Sequence, residues 1–246
     1  MHLLILGRGK TGSLVAEVAK ERRHHVQILD LPENAEARAL TPEFLASVDV
    51  AIDFTAPSAV IANAEACIRA HKCIVIGTTG WYDHLPRLRD LALAAHTGFL
   101  YGSNFSIGVN LFFEIVQASS AALKFDYSGQ IFERHHVTKK DAPSGTALTI
   151  QKIIRESNQS DSNQPDSQNA ASRDAALTKN ELEIVSFREG DAVGMHEVVF
   201  NSAADRIYLC HDAKSRRGFA EGAVRAAEWL VGKSGVYDFR TIWREL

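Results

Sequence analysis

Two stretches of this chain combine residue types that can do chemistry. The first is Gly7-Arg8-Gly9-Lys10-Thr11-Gly12, a GxGxxG pattern directly after the apolar run Leu3-Leu4-Ile5-Leu6. Between a strand and a helix each glycine has a physical task. Gly7 permits the tight turn, Gly9 lets the backbone approach a pyrophosphate, and Gly12 lets helix and strand pack closely. Lys10 and Thr11 sit where the helix opens, and a helix N-terminus offers unsatisfied N–H groups and a positive dipole end to phosphate. Asp30 closes the next apolar run, Val26–Leu29, where a carboxylate binds the hydroxyls of an adenine ribose. The turn therefore reads as a dinucleotide site for NADH or NADPH. The letters Gly9-Lys10-Thr11 also spell the end of a P-loop, but that motif needs an earlier glycine where Leu4 stands, inside the strand.

The second stretch is Glu133-Arg134-His135-His136-Val137-Thr138-Lys139-Lys140-Asp141-Ala142-Pro143-Ser144-Gly145-Thr146. A Pro-Ser-Gly-Thr turn opening a helix, with the Thr146 hydroxyl, suits a carboxylate. Lysine and histidine beside it can deliver a proton next to a site of hydride addition. The competing interpretation is a solvated charged loop. A metal held by His135 and His136 together is disfavoured, because adjacent strand residues point to opposite faces. No metal site is expected.

These residues need a frame. Short apolar runs at Leu3–Leu6, Val26–Leu29, Val48–Phe54, Cys73–Ile76 and Phe99–Tyr101 read as buried strands, alternating with helical patterns at Ser13–Arg22, Ser58–Ala70 and Leu85–Ala95. Continuous apolar strands alternating with helices predict a parallel sheet covered on both faces. After Asn104 the rhythm changes. One long helix is expected over Ile107–Leu123, a strand over Gln130–Val137, a helix over Gly145–Arg155, strands over Leu182–Phe187, His196–Phe200 and Arg206–His211, and a last helix over Phe219–Val231. Partial alternation in the later strands fits a mixed or antiparallel sheet with one open face. The fold class is α/β: an N-terminal Rossmann parallel sheet plus a second α+β domain. Residues 1–106, completed by 216–246, form the first domain and residues 107–215 the second. The polar segment 157–169 is expected as an exposed loop.

Composition narrows the function class. The chain is 46% hydrophobic with a formal net charge of −3, so it has no overall basic field for nucleic acid or anionic lipid. Three scattered cysteines and no CxxC argue against a disulfide framework or a cysteine-based zinc site. No apolar run reaches a membrane span, and Leu3–Leu6 is too short for a signal-peptide core. No nucleic-acid or membrane partner is expected, and the cytoplasm is the expected compartment.

The block His135-His136-x-x-Lys139-x-Asp141-Ala142-Pro143-Ser144-Gly145-Thr146-Ala147 resembles the signature of the 4-hydroxy-tetrahydrodipicolinate reductase (dihydrodipicolinate reductase) family. Supporting blocks follow the family's order. Asp53-Phe54-Thr55 and Gly77-Thr78-Thr79-Gly80 resemble its cofactor-side loops, and Asn104-Phe105-Ser106-Ile107-Gly108-Val109-Asn110 its hinge and nicotinamide-side segment. Arg188-Glu189-Gly190 with Gly194 and His196, and Ser215-Arg216 with Gly222-Ala223-Val224, resemble later blocks. The resemblance implies a two-domain enzyme of lysine and diaminopimelate synthesis, usually a homotetramer built through the second domain's sheet. It implies hydride transfer to ring carbon four of a cyclic dicarboxylate imine after loss of water. It assigns His135 as the acid/base residue and Lys139 as the proton donor. His136, Gly145 and Thr146 become carboxylate contacts, to which Arg216 adds positive charge. Phe54, Thr55, Gly77, Thr78, Thr79, Asn104 and Phe105 join the cofactor contacts.

Two departures stand out: the family's GxxGRMG turn is GRGKTG here, and the connection between Asp30 and Asp49 is short. Asp30 disfavours a 2′-phosphate, whereas Lys10, placed on the adenosine side of the turn, favours one. Use of both cofactors with a preference for NADH is expected. Two rivals were weighed. An aspartate dehydrogenase-like enzyme lacks a use for the His-His-x-x-Lys block with its PSGT turn. A non-catalytic NAD(P) sensor needs no proton donor. At single positions plain structural roles stay open: Asp53 and Thr55 as strand-end turn residues, His196 and above all His211 as sheet histidines.

Overall fold

A computed structural model describes residues 1–159 and 182–246. The chain divides into two compact units, Met1–Asn110 with Arg216–Leu246, and Leu111–Ser215.

In the first unit, strands β1 (His2–Leu6), β2 (His25–Leu29), β3 (Val50–Asp53), β4 (Cys73–Ile76) and β5 (Gly98–Tyr101) join the late strand β10 (Gly235–Asp238). The order is β10-β5-β4-β3-β1-β2, and every pairing is parallel. Leu3, Leu4, Ile5 and Leu6 are all fully buried, because successive side chains feed opposite faces that are both covered. Leu3, Ile5, Val50 and Ile52 pack with Val15 and Val18 of helix α1 (Lys10–Glu21) and with the alanine-rich helix α8 (Arg217–Leu230). Leu4, Leu6, Ala51 and Ile74 pack with α4 (Pro57–Arg69) and α5 (Leu85–Ala94). One-turn helices α2 (Leu31–Asn34), α3 (Pro42–Leu45) and α9 (Phe239–Ile242) complete this unit. The strand order reverses between β1 and β3, so the loops leaving their carboxyl ends diverge and open a crevice.

The second unit carries β6 (Ser128–His135), β7 (Ile184–Arg188), β8 (Met195–Asn201) and β9 (Arg206–Asp212) in the order β7-β6-β8-β9. β6 and β7 are parallel, whereas β6–β8 and β8–β9 are antiparallel. The sheet is therefore mixed. Its inner face holds Ile131, Glu133, His135, His196, Val198 and Phe200, all buried. Helix α7 (Gly145–Gln159) contributes Ala147, Ile150, Ile153 and Ile154 to the same core.

Three local outcomes differ from the sequence reading. The helix expected over Ile107–Leu123 ends earlier, as α6 (Ile107–Ser119), and tightens into a 3-10 segment, Ser120–Lys124. α7 outruns its expected end and takes in the first residues of the polar segment 157–169. Ser157 Oγ donates to the Ile153 carbonyl at 2.9 Å and Asn158 Nδ2 to that of Ile154 at 2.8 Å, so these polar side chains are satisfied within the helix. From residue 160 on, that segment lies outside the described residues. β10 was not foreseen, since Gly-Val-Tyr-Asp lacks an apolar run, yet it pairs with β5 from Gly235↔Gly98 to Asp238↔Tyr101.

Candidate functional site

In the first unit, the carboxyl ends of β1 to β5 carry three adjoining concavities. One of about 300 Å³ is lined by Gly7, Gly9, Asp30, Leu31, Phe54 and Thr55, among others. The next, about 340 Å³, is lined by Gly9, Lys10, Thr11, Phe54, Thr55 and Gly77–Thr79. The third, about 200 Å³, shares Thr11, Phe54 and Gly77 and adds Asn104, Phe105 and Phe219. Every expected cofactor residue but Gly12 lines this groove. Gly12 is buried, and a Cβ there would overlap the Gly7 carbonyl oxygen, so its task is close packing of α1 on the turn. Gly7 has φ +98°, which a side chain would resist. The first turn of α1 has no acidic residue and no side-chain cap, leaving its N–H groups for an anion.

Asp30 and Lys10 separate along the groove. Asp30 accepts the Arg8 N–H at 3.3 Å in the first concavity, while Lys10 lines the second. Lys10 is the first residue of α1. Arg38 donates to the carbonyls of Pro32 (2.5 Å) and Glu33 (3.4 Å), bracing the loop after Asp30.

Asp53 organises the groove from beneath. It is fully buried. Its Oδ1 accepts from Thr55 N (2.9 Å), Thr55 Oγ1 (2.7 Å) and Thr78 Oγ1 (2.9 Å), and its Oδ2 from Asn63 Nδ2 (2.9 Å). Asn63 Oδ1 in turn accepts from Asn34 Nδ2 at 2.9 Å, and Asn34 Oδ1 from Ala39 N at 3.3 Å. A single buried polar chain thus ties the loops after β2, β3 and β4 together.

In the second unit the chemistry-bearing residues occupy adjoining rows of the sheet. Glu133 pairs with Ser186 on one side and His196 on the other, His196 pairs with His211, and His135 pairs with Arg188. Glu133 is fully buried, and both its oxygens accept Ser144 N–H at 3.1 Å. Its Oε1 also takes Ser186 Oγ (2.8 Å) and Arg188 Nη2 (3.2 Å). Burial pushes this carboxyl up, but the hydrogen bonds from Ser144 and Ser186 and the charge of His135 outweigh it and hold it below the usual range. Ser144 Oγ caps α7 by accepting Ala147 N–H at 3.2 Å and lies 3.1 Å from His196 Nε2. Burial drives His196 down to about 3, with His135 adding to it, so it is a neutral base. Burial also lowers His135, against the pull of Glu133.

The remaining expected residues of this unit lie in the segment after β6 and in the first turn of α7. Lys139 Nζ donates to both Asp141 oxygens, at 2.8 and 2.9 Å, and Arg188 reaches the Asp141 carbonyl. Thr138 Oγ1 is 2.7 Å from His136 Nδ1. Gly145 faces open space ahead of α7, with Thr146 beside it in the first turn. Arg216 stands in the first unit, at the N-cap of α8. Glu133, His135 and His196 put one ligand atom each within 4.8 Å of the others, a set with metal-binding geometry. Glu133 in this set already accepts from Ser144 and Ser186 and pairs with the Arg188 guanidinium.

The N-terminal dihydrodipicolinate reductase domain matches residues 1–105, and the C-terminal domain of that family matches residues 108–242. The chain belongs to the dihydrodipicolinate reductase family. It is 37% identical over 248 residues to the 4-hydroxy-tetrahydrodipicolinate reductase of Christiangramia forsetii, covering 100% of this chain and 99% of that one. It is 39% identical over 201 residues to the enzyme of that name from Pelobacter propionicus, covering 80% of this chain and 74% of the relative. In fold it resembles the dipicolinate-bound dihydrodipicolinate reductase from Paenisporosarcina sp. TG-14. The TM-score is 0.74 at 24% identity, with 98% of this chain and 99% of that chain covered.

For this dihydrodipicolinate reductase family member, sequence reasoning missed Glu133, Ser144, Ser186, Arg188 and His196 as one unit. Period-two spacing of Glu133 and His135 on a strand was the available signal; the cross-strand partners had none. His196 carries a pH signature. Its folded-state value lies below the unfolded 6.5, so the unfolded chain takes up the proton first and stability falls as pH drops below 6.5. Glu133 contributes a similar loss only below its ordinary 4.5. In urea melts between these limits, His196→Gln should be less acid-sensitive than wild type, by up to about 1.4 kcal/mol per pH unit. Identical slopes would show that His196 is not held neutral.

Proposed function

We propose that the chain reduces 4-hydroxy-tetrahydrodipicolinate to tetrahydrodipicolinate in diaminopimelate and lysine synthesis. The observation that carries this is one chain of this family holding both a dinucleotide groove and the His135–Lys139–Thr146 block. When bound, NADH or NADPH supplies a hydride to ring carbon four. Thr55, Gly77–Thr79, Asn104 and Phe105 hold the nicotinamide end, and the free N–H groups of α1 take the pyrophosphate. The α7 N-terminus with Gly145, Thr146 and His136 takes a substrate carboxylate, and Arg216 adds positive charge. Lys139 gives the proton that follows the hydride, and Asp141, which accepts from its Nζ, holds that group in place until substrate arrives. His135 is the acid/base group for loss of water.

The test is oxidation of NADH by purified protein with the product of dihydrodipicolinate synthase. Lys139→Ala should cut turnover by about 100- to 10,000-fold, the usual worth of general acid catalysis, while leaving NADH affinity by calorimetry nearly unchanged. Wild-type turnover in that variant would remove Lys139 from the reaction.

We further propose a preference for NADH over NADPH. Asp30 shares its concavity with Leu31 and the glycine turn, and the cation of Lys10 lines a different one. A carboxylate beside a 2′-phosphate costs more than a flexible, hydrated lysine returns. Steady-state kinetics at fixed salt should give the higher kcat/KM with NADH, and Asp30→Ala should narrow the gap mainly by improving NADPH. A wild-type preference for NADPH would overturn the argument.

The third proposal is a homotetramer built through the outer face of the second unit's sheet. That face exposes Tyr208 (58%) and Phe187 (49%), and it holds an open depression of about 540 Å³ lined by Gln130, Phe132, Glu197, Val199 and Tyr208. It lies on the face away from His135 and Glu133. Light scattering should report four copies in wild type and smaller species for Val199→Glu. A monomeric wild type would refute it.

A further inference from the structure

On the inner face of the second unit's sheet, a carboxylate oxygen with spare acceptor capacity and an unpartnered imidazole nitrogen stand side by side. Glu133 Oε1 is saturated by Ser186, Arg188 and Ser144. Oε2 has only the Ser144 N–H, shared with Oε1 at 3.1 Å. Facing it at 3.5 Å is His135 Nδ1, buried and without a hydrogen-bond partner. His196 Nε2 stands 3.7 Å from the same oxygen, but Ser144 Oγ already occupies it at 3.1 Å. Glu133 and His135 are two apart on β6, so the backbone fixes both on one face. At the other end of the imidazole, Nε2 lies against Gly194, where a Cβ would come within 3.0 Å. The missing side chain leaves that nitrogen room.

We infer that Glu133 is the positioning residue of His135. Its Oε2 accepts the Nδ1–H, fixes the neutral tautomer and leaves Nε2 to exchange protons with substrate. Such contacts are commonly long in the ligand-free state and close in the complex. A base oriented by a third group in this way is the general logic of activated acid–base pairs. Arg188 donates to Glu133 and also to the Asp141 carbonyl, so the residue that orients His135 is linked to the loop that carries Lys139. The catalytic consequence rests on the reductase activity proposed above; the tautomer does not.

Nitrogen-15 NMR of wild type, with His135 assigned by its loss in His135→Gln, should show the Nδ1–H tautomer. In Glu133→Gln the amide carbonyl can retain Ser144 N–H while the NH₂ group donates to Nδ1, so the tautomer should move toward Nε2–H. The same variant should lose about 10- to 100-fold in kcat, with KM changed less than about threefold. The groups facing His135 are Glu133 on its own strand, His196 on β8, Arg188 on β7, and Lys139 and Asp141 in the following loop. Removing the one anion among the strand partners disfavours imidazolium, so the limb of the pH profile set by His135 should move to lower pH. An Nε2–H tautomer in wild type, or an unchanged kcat and pH profile in folded Glu133→Gln, would overturn the inference. If Glu133→Gln does not fold, the wild-type tautomer decides. If wild type reduces nothing, the tautomer still reports on Glu133, and only the reductase reading fails.

Discussion

A carboxylate removed from water must be given hydrogen-bond donors by the protein itself, and each unit of this chain is arranged around one that is fully buried: Asp53 and Glu133. Both sit at or near the carboxyl end of a strand, and both collect donors from neighbouring elements. Asp53 gathers Thr55, Asn63 and Thr78, and thereby shapes the dinucleotide groove. Glu133 gathers Ser144, Ser186 and Arg188, and thereby fixes the turn that opens α7. In each case the buried acid sets the positions of the groups around it.

The first unit was largely legible from its sequence because parallel strands covered on both faces advertise themselves as continuous apolar runs. Leu3–Leu6 and Val50–Asp53 form neighbouring strands whose alternate side chains enter separate cores. β10 escaped because its place at the sheet edge is set by pairing with β5 rather than by burial of its own side chains. The end of α7 was misjudged for a related reason. Ser157 and Asn158 look like loop residues, but their side chains bond back to the helix's own carbonyls.

The candidate site was legible where a motif is local. The glycine turn and the His135–Thr146 block announce themselves in consecutive residues. What could not be read is what comes together only through sheet register. Ser186, Glu133, His196 and His211 form one row drawn from β7, β6, β8 and β9. Each residue taken alone has an ordinary structural explanation, which the sequence leaves open for His196 and favours for His211.

The polar chain from Asp53 through Asn63 to Asn34 bears on how this fold can be re-engineered or can drift. Asn34 lies in the short helix that begins just after Asp30, and through Asn63 it shares a partner with the threonines of the β3 and β4 loops. The loop after β2, next to Asp30, and the loops after β3 and β4 are therefore not independent modules. A transplanted β2–α2 loop that omits Asn34 would carry its new selectivity at the expense of geometry at the far end of the groove. Single side-chain changes on the groove's surface, leaving the buried amides in place, are the route by which selectivity can change without loss of alignment.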